Sequence, residues 1–213
     1  MEKLILALDC SLRWTNVAVF WNGDVLVSES LDIGRRQAAE LPLIVQNALS
    51  GAGRSFGQVD LIAVTNGPGY FTGIRVGVSY AAALAYGLGV NVTPVSTLHM
   101  LGGLQKAQKK RTPALVAVYA GRERVYAASF GCESEKELPA GEYKQDEIER
   151  WLLANEDAEV LSDDPEKAFL PCLGRDVKLV RPDASEVARI AWLFPDTAVH
   201  PMALRVSYYR SPL

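Results

Sequence analysis

Five positions with little or no side chain, Gly73, Gly77, Ala81, Ala85 and Gly89, recur at every fourth residue of one stretch. On an α-helix this spacing draws a nearly continuous line. Glycine inside a helix costs about 1 kcal/mol against alanine, so two interior glycines require a close contact that offsets them. The helix must therefore press against something, either the protein's own sheet or a helix of another subunit. Directly before it, residues 60–65 (DLIAVT) read as a short buried strand, and Asn66-Gly67-Pro68-Gly69-Tyr70-Phe71-Thr72-Gly73 joins the two.

The same alternation of strands and helices extends along the chain. Residues 3–9 (KLILALD) form an apolar run ending in an acid, as a buried strand does when its last side chain is delivered to a cleft. Thr15–Trp21 and Asp24–Ser30 flank Asn22-Gly23, a strong hairpin signal. Leu41, Ile44, Val45, Ala48 and Leu49 mark one apolar helical face, with Pro42 in the first turn or at a kink and Gly51 as the stop. Residues 90–96 give another strand and 97–110 a helix ending in Lys106, Lys109, Lys110 and Arg111, a cluster read as a solvated helix end.

A second lobe begins near Thr112-Pro113, with strands at 114–119 and 124–130 around a turn at Gly121-Arg122-Glu123, so that the first lobe's pattern partly recurs. Residues 131–145 have no period and read as a surface excursion. A helix at 146–153, a strand at 159–162, a helix start at Asp164-Pro165 and a helix from Asp183-x-x-Glu186 to Pro195, with Val187, Ile190, Ala191 and Phe194 inward, follow. For 213 residues this predicts two small α/β lobes, 1–110 and 111–213, with the C-terminal tail packing back on the first.

Charge and cysteine usage exclude several classes. Lys and Arg number 22 against 25 Asp and Glu, a formal net charge of −3, which argues against a bulk electrostatic grip on nucleic acid. Cys10, Cys132 and Cys172 are far apart and lack CxxC spacing, so neither a disulfide framework nor a zinc knuckle is expected. Reduced cytoplasm is the expected compartment. The longest apolar stretch, near Ala81–Leu88, falls short of the ~20 residues of a membrane helix, and no export signal or membrane partner is expected.

Two places could do chemistry. Asp9 and Ser11 follow the first strand, an arrangement that can hold a hydrated Mg²⁺ and a phosphate oxygen; equally, both can cap the turn by local hydrogen bonds, and the bulky Leu12, Arg13 and Trp14 favour that reading. The loop before Gly73 leads into a helix N-terminus, where unpaired N–H groups favour anions, and Thr72 is either an N-cap or a ligand group. The loop is neither a Walker loop nor GxGxxG. His99 and His200 stand alone, with no HExxH, and no GxSxG is present, so no metal site and no catalytic residue is assigned.

The run Gly67–Leu98, GPGYFTGIRVGVSYAAALAYGLGVNVTPVSTL, resembles the signature of the bacterial tRNA threonylcarbamoyladenosine biosynthesis family TsaB, also called YeaZ. LALDCS near the start, Glu40-Leu41-Pro42, Val118-Tyr119-Ala120 through Val125-Tyr126 and Pro201-x-x-Leu204-Arg205 add to the likeness. The resemblance implies an actin/hexokinase-like (ASKHA) fold of two lobes, each a mixed sheet with packed helices. It also implies a non-catalytic subunit of the assembly that moves a threonylcarbamoyl group onto the adenosine beside the anticodon of tRNA. The implied partners are a TsaD-type catalytic subunit, a TsaE-type ATPase and a second copy when the chain is alone, with tRNA as substrate of the complex. Metal and activated adenylate then belong to the catalytic sister, and ATP or ADP is allowed only at the junction with it.

Under that resemblance the nucleotide candidates are Asp9, Ser11, Thr72 and Arg122, and the partner interface is Leu41, Ile44, Val45, Ala48, Gly73, Gly77, Ala81 and Ala85. The sequence departs from the family where members often carry His at the first helix, here Arg36-Gln37-Ala38. It departs again at Asp-Ala-Arg, here Tyr119-Ala120-Gly121 with Arg122 next. The alternative reading is a small ATPase or small-molecule kinase of the same fold; a metalloprotease finds no histidine pair.

Overall fold

All six residues of β1 (Leu4–Asp9) are buried, the signature of a strand covered on both faces. β2 (Thr15–Trp21) pairs with it antiparallel, and β3 (Asp24–Leu31) follows through Asn22 and Gly23, whose positive φ values of 50° and 105° suit this tight hairpin. After α1 (Gln37–Gly51), β4 (Leu61–Gly67) returns parallel to β1, and α2 (Phe71–Leu88) leads to β5 (Asn91–Ser96), parallel to β4. The strand order is β3-β2-β1-β4-β5. α3 (Thr97–Gly102) closes this stretch.

The computed structural model describes residues 2–103, 113–132, 137–168 and 175–209. It comprises two units, Met1–Met100 with Pro182–Ser207, and Leu101–Arg181 with Tyr208–Leu213. The second unit contains β6 (Ala114–Gly121), β7 (Arg124–Phe130), β8 (Gly141–Lys144), α4 (Gln145–Ala154), β9 (Glu159–Ser162), α5 (Pro165–Ala168) and β10 (Val177–Leu179). Its strand order, β10-β9-β6-β7-β8, repeats the first: an antiparallel β6-β7-β8 meander and a parallel β6-β9-β10 side. β8 and β10 leave no clear pattern in the sequence because each is short and at a sheet edge.

Strand alternation divides the first unit's core. Leu4, Leu6 and Leu8 of β1, Val17 and Val19 of β2, and Ile62 and Val64 of β4 share one cluster with Leu41, Val45 and Leu49 of α1 and Ile74, Val78, Ala81 and Ala85 of α2. The intervening residues face the other way, toward α6 (Ala184–Leu193), which packs on β1 and β2 and sets Trp192 6.2 Å from Phe20, ring to ring. There Ala7 lies in register between Ala18 and Ala63, and a row of three alanines admits the helix closely. α6 begins at Asp183, whose carboxylate accepts from the Ser185 N–H at 2.8 Å and the Ser28 hydroxyl at 2.9 Å. Val187 and Ala191 are buried as expected, but Phe194 ends the helix 48% exposed.

In the second unit, Leu115, Ala117, Val125, Ala127 and Val160 pack on Ile148 and Leu152 of α4. Arg175 caps that helix from outside, donating to the carbonyls of Leu152 and Asn155 at 3.0 Å each and of Ala158 at 3.3 Å. Asp164 starts α5 as expected, accepting from the Lys167 N–H at 3.2 Å. The predicted basic helix end at Lys106, Lys109, Lys110 and Arg111 lies outside the described residues.

Candidate functional site

Asp9 ends β1 with its side chain on the α6 face, completely buried, and four donors of the chain itself reach its carboxylate. Oδ1 accepts from the Ser11 N–H at 3.0 Å, the Ser11 hydroxyl at 2.5 Å and the Thr65 hydroxyl at 2.6 Å. Oδ2 accepts from Asn16 Nδ2 at 2.8 Å. Ser11 is as buried as Asp9. The structure thus brings these two sequence candidates together as the centre of a polar knot that ties β1, β2 and β4, the structural of the two readings of the turn.

The glycine-rich loop closes over the same turn. The Tyr70 N–H donates to the Ser11 carbonyl at 2.7 Å. A Cβ on Gly69 would overlap that carbonyl oxygen, and one on Gly73 would overlap the carbonyl oxygen of Cys10. A Cβ on Gly77 would come within 3.3 Å of Cys10 Cβ. The small-residue line from Gly73 to Ala85 therefore faces the protein's own sheet, whereas Gly89 ends the helix with open space around it. On the loop's other side, the Ser207 N–H donates to the Asn66 carbonyl at 2.8 Å and Asn66 Nδ2 to the Arg205 carbonyl at 3.2 Å. Cys10 is enclosed between sheet and helix; burial, then the neighbouring Asp9 charge, push its thiol pKa well up.

This corrects the expected partner surface. Leu41, Ile44, Val45, Ala48, Gly73, Gly77, Ala81 and Ala85 are all buried in the first unit, because the apolar faces of α1 and α2 are spent on β1, β2 and β4. The N-cap reading of Thr72 is corrected: Tyr70 is the N-cap of α2, with no side-chain cap bond, and Thr72 is the helix's second, exposed residue. Arg122 belongs to the second unit, exposed in the β6–β7 turn with φ of 50°.

The outward side of α1 and α2 is open. A groove of about 500 Å³ runs over Ala38, Leu41, Phe71, Arg75, Val76 and Tyr80. Through Ala38, Thr72 and Val76 it joins a recess of about 580 Å³ whose rim carries Arg13, Asp32 and Arg35. Phe71 is 56% exposed, and the Arg75 guanidinium lies 3.7 Å from its ring centroid. Arg13 binds Asp32 through Nε at 2.9 Å and Nη2 at 2.6 Å. No sequence period signals this groove, since its rim residues are spread from Leu12 to Tyr80 and meet only in the fold. Among the described residues, no three His, Cys, Asp or Glu side chains converge to hold a metal.

Two sheets with the same central-strand order and crossover helices define the actin/hexokinase-like class of α/β folds. Residues 32–204 match the family model described as TsaD: tRNA N6-adenosine threonylcarbamoyltransferase, and the chain belongs to that family. Within it the likeness is to TsaB (YeaZ). The chain is 26% identical over 174 residues to the tRNA threonylcarbamoyladenosine biosynthesis protein TsaB of Buchnera aphidicola, covering 76% of this chain and 78% of that one. Against TsaB of Escherichia coli it is 33% identical over 128 residues, covering 59% of this chain and 54% of the relative, about half its length. The structure of YeaZ from Pseudomonas aeruginosa superposes with a TM-score of 0.76 at 26% identity, over 97% of this chain and 99% of that one.

Proposed function

We propose that this chain takes part in forming threonylcarbamoyladenosine on tRNA as the TsaB-type accessory subunit that binds and supports a TsaD-type transferase. The observation that carries the reading is the engagement of Asp9 by the chain's own donors. The carboxylate that the fold puts at the end of the first strand is consumed by four hydrogen bonds from Ser11, Asn16 and Thr65. The loop that would cradle phosphates is seated on the Cys10 and Ser11 carbonyls instead. Metal, nucleotide and threonylcarbamoyl transfer then fall to the transferase, with a TsaE-type ATPase completing the assembly and any nucleotide near this chain held at the junction. The outward α1–α2 face, with Leu43 59% and Phe71 56% exposed, is the docking surface.

The test is reconstitution of tRNA modification from ATP, threonine, bicarbonate, the adenylate-forming enzyme and the TsaD- and TsaE-type proteins, with and without this chain. Modification that needs the chain, with no ATP turnover by the chain alone, is the expected result. Equal modification without it overturns the accessory role, and nucleotide binding by the isolated chain at millimolar ATP would favour the kinase or ATPase reading.

A further inference from the structure

After α6 the first unit ends in a strap, Val199 to Ser207, that lies outside its sheet ladders. Val199 makes a single bridge to Val92 of the edge strand β5, with N–H to carbonyl bonds of 2.9 and 2.8 Å. A short turn at Pro201–Ala203 packs on α2, with Pro201 buried and His200 Nδ1 accepting from the Met202 N–H at 3.3 Å. Leu204 joins the apolar cluster of α1, α2 and the sheet. Arg205 folds back on the strap itself, donating to the Met202 and Leu204 carbonyls at 2.7 and 2.8 Å. Pro201-x-x-Leu204-Arg205 is thus a self-shaped segment anchored by Leu204.

The end of the strap grips the glycine-rich loop. The Ser207 N–H donates to the Asn66 carbonyl at 2.8 Å, and Asn66 Nδ2 returns a bond to the Arg205 carbonyl at 3.2 Å. A Cβ on Gly67 would lie 2.6 Å from the Ser207 carbonyl oxygen, so the strap seats there only against glycine. Three residues on, Tyr70 bonds the Ser11 carbonyl and caps α2. We infer that Val199–Ser207 is a latch: docked, it holds the Asn66–Tyr70 loop on the Ser11 turn and fixes the start of α2; released, it frees both. All of these contacts lie within the first unit, so the latch is independent of the accessory-subunit reading. Ser207 is also the last residue of that unit, and a displacement of the departing chain reaches the loop through the two bonds to Asn66.

Such a segment can open while the fold stays closed. β1 is paired along its length with β2 on one side and β4 on the other, whereas the strap depends on one bridge, one buried leucine and the Asn66 pair. Segments with few buried apolar contacts open at a fraction of the global free energy. Strap and loop open together because Asn66 is bonded to the strap by main chain and side chain at once, with Gly67 directly under Ser207.

The test is amide hydrogen exchange of the full chain, read at Ser207, at Tyr70 and along β1 and β4. In Leu204→Ala, which removes the anchor and leaves every loop residue in place, the Ser207 and Tyr70 amides should exchange faster together, by roughly 10-fold or more, with β1 and β4 unchanged. Asn66→Ala removes only the side-chain bond to Arg205; it should give a smaller acceleration at the same two amides, and it carries the test if Leu204→Ala does not fold. Asn155→Ala deletes the same kind of amide-to-carbonyl bond in the second unit and should change neither amide.

Acceleration at Ser207 without Tyr70 would show that the Ser11 carbonyl alone seats the loop, which overturns the latch. Acceleration spread evenly over Ser207, Tyr70, β1 and β4 would mean that the strap opens only with the whole unit, and overturns it as well. So does unchanged exchange at both amides in the two strap variants.

Discussion

The Thr65 hydroxyl donates to Asp9 Oδ1 at 2.6 Å across the parallel pair of β4 and β1, with both side chains out of reach of solvent. A carboxylate at the end of a first strand is thereby converted from an available ligand into a cross-strand tie. Thr65→Val keeps the shape and removes one donor, for an expected loss of about 1–2 kcal/mol. Asp9→Ala strands the donors of Ser11, Asn16 and Thr65 in an apolar setting, and about 3 kcal/mol or more should be lost. Urea unfolding measures both; an unchanged midpoint in Asp9→Ala would contradict the tie.

Glycines on α2 divide by direction. Gly73→Ala drives a Cβ into the Cys10 carbonyl, which cannot move without breaking the β1–β2 turn, so a loss of roughly 3 kcal/mol or more is expected. Gly87 faces open space, and Gly87→Ala should gain up to about 1 kcal/mol through helix propensity. Opposite signs in thermal melts are the signature; equal effects would contradict the own-sheet packing.

Arg122 and Glu123 turn the β6–β7 hairpin with φ of 50° and 58°, a region that side chains with a Cβ occupy at a cost of about 1–2 kcal/mol. The β2–β3 hairpin makes its turn with Asn22 and Gly23, residues suited to it. Glu123→Gly should raise stability by about 1 kcal/mol, and Glu123→Ala should not. Comparing the two variants' unfolding midpoints isolates backbone strain from loss of the charge.

Asp163, between β9 and α5, has its carboxyl pushed up to about 6, by burial first and then by the Asp164 charge, against weaker pulls from backbone hydrogen bonding and Lys167. The folded chain then holds this proton more tightly than the unfolded chain does. Its contribution to stability is full below the unfolded value of about 4 and is lost as pH rises through about 6. The gain from Asp163→Asn over wild type should accordingly be near zero at pH of about 4 and grow toward pH of about 7. A pH-independent difference between the two proteins would show that Asp163 does not titrate in this window.

Much of the architecture was legible because local rules and tertiary packing agreed. The five-residue apolar run of β1 ending in Asp9, the Asn22-Gly23 hairpin, the apolar face of α1 and the cap at Asp164 each appear where the pattern put them. The misses share a cause. Thr72 looked like a cap because threonine favours that position, yet the loop's attachment to Ser11 started the helix at Phe71, so Thr72 fell inside it. Phe194 looked inward by period, but the helix ends one residue before it at Leu193.

The sequence by itself determined that a tight contact must run along Gly73, Gly77, Ala81 and Ala85, because small residues at four-residue spacing have no other physical rationale in a helix. It also delivered the likeness to TsaB from one continuous run of residues. Only the tertiary structure decided what that contact was and which helix faces stay open. Cys10 is more than sixty positions from Gly73 and Gly77, and Arg13, Arg35 and Arg75 are as widely scattered. Periodicity reports which face of an element is apolar, while the identity of the surface covering that face is set by strand order and by which backbones approach closely enough to exclude a Cβ.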